Sequence, residues 1–393
     1  MDFKNVSVYR PKMEYRRFGK TDKKVSVITL GGMRYKHGSG EPRELIPADT
    51  LDQCITTVKN AINQGINLIE TAYGYGKSEH LYGKVLNDEL KIKRGSYFLM
   101  TKGNPKTAKE TRELIEKQLR ALKTDYFDFY AWHGINTQEL FELSCKKNGP
   151  VEELLKLKEE GVVRHIGFST HGPLNVILKA LETDLFEFVN LHFYYFFQRN
   201  KPAIDLAAKK DMGVFIISPN DKGGQLFHPS EKLTELTKPL HPIQWNARFC
   251  LGYDSIHTLS FGLTEPTHFD QLNGIFPASA PLSADDLKIM QMLDKQKQDD
   301  PYFKFDPYVF ENDPSGLNIP EILRFRMLLK CYDMKEFGLY RYNMFQEKDH
   351  WFPGRFPTEE NLKQIDLSKC PPELPIIELI GETHRELFRP KKK

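Results

Sequence analysis

Between about residues 25 and 276, eight short apolar runs alternate with stretches of helical period, and this alternation leaves few architectures open. The runs are VSVITLGG (25–32), INLIETA (66–72), YFLMTKG (97–103), FDFYAWH (127–133), VVRHIGFST (162–170), FVNLHFYYF (188–196), GVFIISP (213–219) and IHTLSFGL (256–263). Several are apolar nearly throughout rather than alternating, which marks strands buried on both faces. Between them, DTLDQCITTVKNAINQG (49–65), AKETRELIEKQLRALKT (108–124) and VEELLKLKEEG (151–161) repeat apolar residues at helical spacing, with Gly65 and Gly161 where C-terminal caps belong. Eight β/α units in roughly 250 residues predict an α/β fold, the (β/α)8 TIM barrel. A doubly wound sheet normally opens on a G-x-G-x-x-G turn, and ITLGGMRYKHGSG (28–40) is not one.

Ahead of the first unit, YRRFGKTDKKVSVITL (15–30) reads as a hairpin turning at GKTD, placed to cap the bottom of the barrel. After residue 277 the pattern changes to helical segments, LSADDLKIMQMLDKQ and IPEILRFRMLLKCYDM. The expected domains are therefore a barrel over 1–279 and a mostly helical domain over 280–393. A net charge of +3 gives no reason to expect nucleic acid, and the RPKKK tail (389–393) reads as solvated. Neither a membrane-spanning apolar run nor the apolar core of a signal peptide is present, and five scattered cysteines form no disulfide framework. The expectation is a soluble cytoplasmic protein.

In such a barrel the chemistry belongs at the C-terminal strand ends. Glu70 ends the second strand with Tyr75 on the loop beyond it, Lys102 ends the third, and His133 ends the fourth. Neighbouring strands lie about 5 Å apart, so these ends can converge. A carboxylate, an ammonium and a phenol together suit proton delivery to a carbonyl oxygen. The ammonium favours phenolate, and so lowers the tyrosine pKa, while the carboxylate orients the ammonium and keeps it charged. Histidine can polarise the carbonyl. A hydride must come from a cofactor, since no side chain supplies one.

Those segments resemble the aldo-keto reductases over about residues 14–276. FGKTDKKVSVITLGGMR is similar to the family's entry hairpin and first strand, and GINLIETAYGYGKSEHLYGKVL to its Asp/Tyr segment. MTKG and DYFDFYAWHGIN resemble its lysine and histidine strands, and GVVRHIGFST and GVFIISPNDKGG its later cofactor-binding strands. The resemblance implies Tyr75 as general acid, Lys102 as the group lowering its pKa, and His133 orienting the carbonyl. Glu70 stands where most members have aspartate.

It also implies NADP(H) or NAD(H). Ser169, Thr170 and Asn190 match the positions that hold the nicotinamide carboxamide, and Ile217 the aromatic that stacks beneath it. SPNDKGG (218–224) resembles the pyrophosphate loop, bringing in Ser218, Lys222, Gly223 and Gly224. SFGLTEPTHFDQ (260–271) matches the adenosine end through Gly262, Thr264, Glu265 and His268. Thr264 and the acid Glu265 replace the usual basic residue, which favours a free ribose hydroxyl and makes NADH a candidate.

One branch of the family resembles the chain further, through SGLNIPEILRF (315–325) and CPPELPIIELI (370–380). In its cluster-bearing members similar segments follow C-x2-C-x2-C-x3-C-P runs. Here Asp313 and Cys370 precede Pro314 and Pro371. The other positions are Val309, Asp306 and Phe303, and Asp366, Lys363 and Glu360. Seven of eight thiolates are missing, so the expectation is a ferredoxin-like helical domain without a cluster, and no metal. The aromatics of EFGLYRYNMF and HWFPGRF are expected to pack that domain or close the barrel mouth. The function implied is reduction of an aldehyde or ketone by NAD(P)H, or the reverse, on a small-molecule carbonyl or alcohol. A nucleotide-binding redox sensor or subunit without catalysis, and an epimerase holding its nucleotide tightly, are the alternatives.

Overall fold

The computed structural model describes residues 13–39, 42–221, 224–278, 280–346 and 352–390. Two antiparallel strands, β1 (Tyr15–Arg17) and β2 (Lys24–Ser26), form the entry hairpin. Eight parallel strands follow: β3 (Ile28–Gly31), β4 (Leu68–Glu70), β5 (Phe98–Gly103), β6 (Phe127–His133), β7 (Val163–Ser169), β8 (Phe188–Leu191), β9 (Gly213–Ile216) and β10 (Thr258–Phe261). They close in the order β10-β3-β4-β5-β6-β7-β8-β9, so each strand pairs with its neighbour in sequence and β10 returns to β3. This is the expected (β/α)8 barrel with an N-terminal hairpin and a helical C-terminal region.

Phe18 and Val25 of the hairpin pack with Leu68, Met100, Phe129, Ala131, Phe188 and Phe215. Residues two apart share a face of a strand. The register that points Leu68, Met100, Ala131 and Phe188 into the barrel therefore points Glu70, Lys102, His133 and Asn190 the same way, nearer the C-terminal mouth. Two of the helices that cover the strands start on side-chain caps. Thr107 accepts from Glu110 N–H and Thr137 from Leu140 N–H. Gly65 and Gly161 adopt left-handed backbone just past their helices, as the cap pattern predicts.

Two apolar runs behave differently from their pattern. The run 25–32 is divided: Lys24–Ser26 pairs with β1, and only Ile28–Gly31 joins the barrel. The run 188–196 leaves the sheet after Leu191, and Tyr194 and Phe197 fold back on each other through two backbone hydrogen bonds.

The chain divides into two compact units. One comprises the described residues up to Asn220 together with Gln244–Leu282, and the other Asp221–Ile243 together with the described residues from Ser283 onward. In the second unit the helices Ala284–Lys297 and Ile319–Tyr332 fall on the segments read as helical. Arg324 is buried there, paired with Asp221 at 3.0 Å and with Glu321 at 2.8 Å. Asp313 accepts from Ser315 N–H at 3.0 Å and from Asp366 N–H at 3.1 Å, so its carboxylate joins the two segments read as former cysteine runs. Phe345 stacks on Phe352 at 4.9 Å and Tyr342 lies 5.5 Å from Phe356, which makes these rings part of that unit's own packing. Among the described residues no group of three or more His, Cys, Asp or Glu side chains is arranged to hold a metal ion, and no helix is long and apolar enough to cross a membrane.

Candidate active site

Glu70 is the last residue of β4, Lys102 the fifth of β5, and both are buried. Lys102 Nζ meets Glu70 Oε1 directly and donates to Thr71 O at 3.1 Å. The other carboxylate oxygen accepts from Ser260 Oγ, across the barrel closure on β10, at 3.2 Å. Charge, hydrogen bonds and strand backbone thus fix the pair together, as burial of two ions demands.

Tyr75 reaches this pair from a short turn, Tyr73–Tyr75, after β4. The turn is set by Gly76, whose φ of +59° is left-handed and whose missing Cβ would fall 2.1 Å from Gly38 O. Lys77 N–H donates to the same carbonyl at 2.8 Å, tying the turn to the loop after β3. The half-buried Tyr75 points its hydroxyl inward, donating to Glu70 Oε1 at 3.3 Å, with Lys102 Nζ 4.8 Å from the ring centre. His133, at the end of β6, sets its ring edge-on to Tyr75 at 6.0 Å. All four residues drawn from the sequence therefore meet at one end of the barrel.

Burial pushes the Tyr75 phenol well above its ordinary value. The extra methylene of glutamate carries a carboxylate oxygen to the phenol itself. Lys102 answers that carboxylate, and the phenol keeps its proton at rest.

Beside His133 the register continues to Ser169 and then Asn190. Ser169 Oγ accepts from Gly134 N–H at 3.2 Å, which leaves the hydroxyl proton to serve a ligand. Asn190 is fully buried; its Nδ2 has only a 3.3 Å contact with Met100 Sδ, and its Oδ1 has no hydrogen-bond partner among the described residues. A buried amide left so poorly satisfied implies a missing polar group. A carboxamide of the nicotinamide kind offers the donor and acceptor that such an amide and the Ser169 hydroxyl need, so these residues fit that cofactor.

Thr170 does not join them through its side chain. Its hydroxyl donates to Ile135 O, on the loop after β6, at 2.6 Å and accepts from Gly172 N–H, in its own loop, at 2.9 Å. Ile217 packs on the barrel core as an aliphatic surface. Ser218 and Gly224 both have left-handed backbone, at φ 49° and 68°, and Gly224 belongs to the second unit. Lys222 and Gly223 lie outside the described residues.

At the end of β10, Glu265 caps the helix Pro266–Asp270 in a capping box with His268, whose Nδ1 accepts from Thr264 and Glu265 N–H at 3.2 Å. The Glu265 carboxylate also accepts from Gln53 Nε2 at 3.3 Å, and the residue is exposed. Two contacts here escape sequence reasoning. Arg34 lies across Gly262 so closely that a Cβ there would fall 2.6 Å from Arg34 Cδ, and Ser260 supports Glu70 from 190 residues away. The glycine is the one signal the sequence carries for the first; for the second it carries none.

The Aldo/keto reductase family model matches residues 27–238. An uncharacterized oxidoreductase of Bacillus subtilis (strain 168), YqkF, is 27% identical over 58% of this chain and 71% of its own length. L-galactose dehydrogenase of Arabidopsis thaliana is 31% identical over 44% of this chain, and the match spans about half, 52%, of that protein. The holo form of aldo-keto reductase AKR11C1 from Bacillus halodurans superposes with a TM-score of 0.58 at 21% identity, covering 71% of this chain and 96% of that one. That last likeness is one of fold.

Proposed function

The chain belongs to the aldo/keto reductase family and is an oxidoreductase, and from that premise we propose that it interconverts an aldehyde or ketone with the alcohol, using NADPH or NADH, with Tyr75 as the proton donor. The observation that carries the reading is the meeting of Glu70, Lys102, Tyr75 and His133 at the barrel mouth. When bound, a nicotinamide supplies the hydride. Asn190 and Ser169 are the residues that would hold its carboxamide, and Ile217 the apolar surface beneath it.

The chain's own contribution is orientation and proton transfer. His133 donates toward the carbonyl oxygen and draws charge onto it. As that oxygen becomes alkoxide-like, it is a far stronger base than phenolate, so a phenol that is protonated at rest still gives up its proton. Lys102 then lies beside the phenolate that forms, and Glu70 keeps Lys102 in place. A raised resting pKa is therefore compatible with an acid that must be protonated when substrate arrives. The relative named for L-galactose makes aldoses the first substrates to try.

Nucleotide fluorescence titration of wild type and Tyr75→Phe, followed by turnover on a carbonyl and aldose panel, tests this. Both proteins should bind NADPH or NADH, and only wild type should oxidise it with substrate. Equal turnover by the two would remove Tyr75 from the chemistry. Failure of wild type to bind either nucleotide would end the reductase reading.

A further inference from the structure

Residues 72–77, Tyr75 among them, run between Thr71, just past β4, and Ser78, the first residue of the helix Ser78–Lys84. Tyr75 N–H closes its own turn on Ala72 O at 3.0 Å, and 3-10 geometry is weak in so short a piece. The firmer ties lie at the two ends of the segment.

Thr71 is held on both sides of its own peptide unit. Its N–H donates to Met100 O at 2.9 Å, which carries the β4–β5 pairing one residue past Glu70, and its carbonyl accepts from Lys102 Nζ at 3.1 Å. Its hydroxyl donates to Ser78 Oγ at 2.7 Å, and both residues are buried. One residue thus touches the ammonium with its carbonyl and the helix start with its hydroxyl. Gly32 closes the place: its N–H donates to Glu70 O at 2.8 Å, and a Cβ on it would fall 2.5 Å from Ser78 Oγ. The next residue of the helix, Glu79, makes a second tie. Thr101 Oγ1 donates to its Oε1 at 2.6 Å, and Thr101 directly precedes Lys102. Ser78 and Glu79 therefore join the helix start to the two strands that carry Glu70 and Lys102.

A phenol serves as an acid only within hydrogen-bond reach of its target, and a displacement of about 1 Å can cost about 100-fold in rate. The Tyr75 hydroxyl stands 3.3 Å from Glu70 Oε1, near the far limit of a hydrogen bond, so that contact alone holds it weakly. The shorter, buried Thr71–Ser78 bond holds it from the base of the turn.

We propose that Thr71 and Ser78 are positioning residues for the proton donor: their hydrogen bond clasps the turn that bears Tyr75 to the strand end that bears Glu70, and so sets the phenol against Lys102 and the substrate carbonyl. The inference rests on the reductase reading of the mouth and deepens it, since both hydroxyls act through Tyr75.

Variants of the full chain separate this role from packing. Thr71→Val and Ser78→Ala each remove the bond, and Thr71→Ser keeps it. The double variant removes both partners at once, which for a buried pair is nearly neutral in stability. In the first measurement, exchange of the Tyr75 amide hydrogen is followed by NMR. Loss of one hydrogen bond should speed it about 3- to 10-fold in Thr71→Val, Ser78→Ala and the double variant, with Thr71→Ser at the wild-type rate. Unchanged exchange in those three overturns the clasp, whatever the catalysis.

The second measures kcat, KM and nucleotide Kd with a carbonyl that wild type reduces. kcat should fall about 3- to 10-fold in the same three variants, with KM and Kd unchanged, and Thr71→Ser should restore it. The double variant is decisive, because it should melt close to wild type and remain slow. Wild-type kcat in that variant overturns the positioning role and leaves the reductase reading intact. Absence of turnover by wild type on simple carbonyls and aldoses, with both nucleotides, ends the reductase reading and the role that rests on it.

Discussion

β5 has a buried carboxylate on each of its faces, and the two are held by different chemistry. Lys102 points into the barrel and meets Glu70, which also accepts from Tyr75 and Ser260. Its neighbour Thr101 points outward, to the helix layer, where Thr101 Oγ1 and Gln118 Nε2 each donate to Glu79 Oε1 at 2.6 Å. On the inner face a cation answers the charge. On the outer face the hydrogen bonds come from neutral donors, Arg43 acts on the carboxylate through space alone, and burial pushes its pKa up from 4.5 to about 7. One strand thus separates a carboxylate answered by a buried ammonium from one hydrogen-bonded by neutral donors. What decides between them is whether the strand offers lysine or threonine at that position.

Removing the cation breaks the comparison most severely. Lys102→Met leaves Glu70 buried without its ammonium, at a cost of about 3–5 kcal/mol in unfolding free energy. Turnover should fall at least as far as in Tyr75→Phe. A denaturant-melt loss under about 1 kcal/mol would show that the inner pair is solvated rather than sealed. Tyr75→Phe comes next. It should lower kcat by about 10²–10⁴-fold while changing stability little, because the ring stays and one long hydrogen bond is lost. A comparable loss of nucleotide affinity would assign Tyr75 a binding role instead.

The outer face is sharpened by pH. Between pH 4.5 and about 7 the folded chain keeps a proton on Glu79 that the unfolded chain has released. Stability from this group is therefore full below pH 4.5 and declines as pH rises to about 7, by about 3 kcal/mol in all. Glu79→Gln keeps an oxygen for Thr101 and Gln118 and removes the titration. It should match wild type near pH 4 and exceed it by about 2–3 kcal/mol at pH 8. An equal difference at both pH values would mean that Glu79 has no raised pKa.

The same contrast explains what the sequence made legible. Strand ends were readable because a period of two and a parallel register fix which side chains share the barrel axis. Glu70, Lys102, His133, Ser169 and Asn190 all follow from it. Loop residues were less readable, because a polar side chain there can find partners in its own or a neighbouring loop. Thr170 bonds to Ile135 O and Gly172 N–H, and Glu265 stands at a helix start, partners that the sequence did not announce. The run 188–196 misleads for a related reason: hydrophobicity shows that Phe193, Tyr194 and Tyr195 are buried, and not that they have left the sheet. The raised pKa of Tyr75 was hidden because spacing alone does not say how deeply the phenol is buried.

Ser260 gives the smallest effect and the finest test of the inner face. It donates to Glu70 Oε2 at 3.2 Å, opposite the oxygen that serves Lys102 and Tyr75, so it acts on the reaction through Glu70 alone. Losing that hydrogen bond should cost about 1 kcal/mol, seen as a several-fold drop in kcat with nucleotide Kd unchanged, and Ser260→Thr should restore it. In a Glu70→Gln background, where the carboxylate no longer needs orienting, Ser260→Ala should cost little more. A full additional loss there would mean that Ser260 supports the site by a route other than the carboxylate. The inner face of β5 would then owe its arrangement to strand packing rather than to the ion pair.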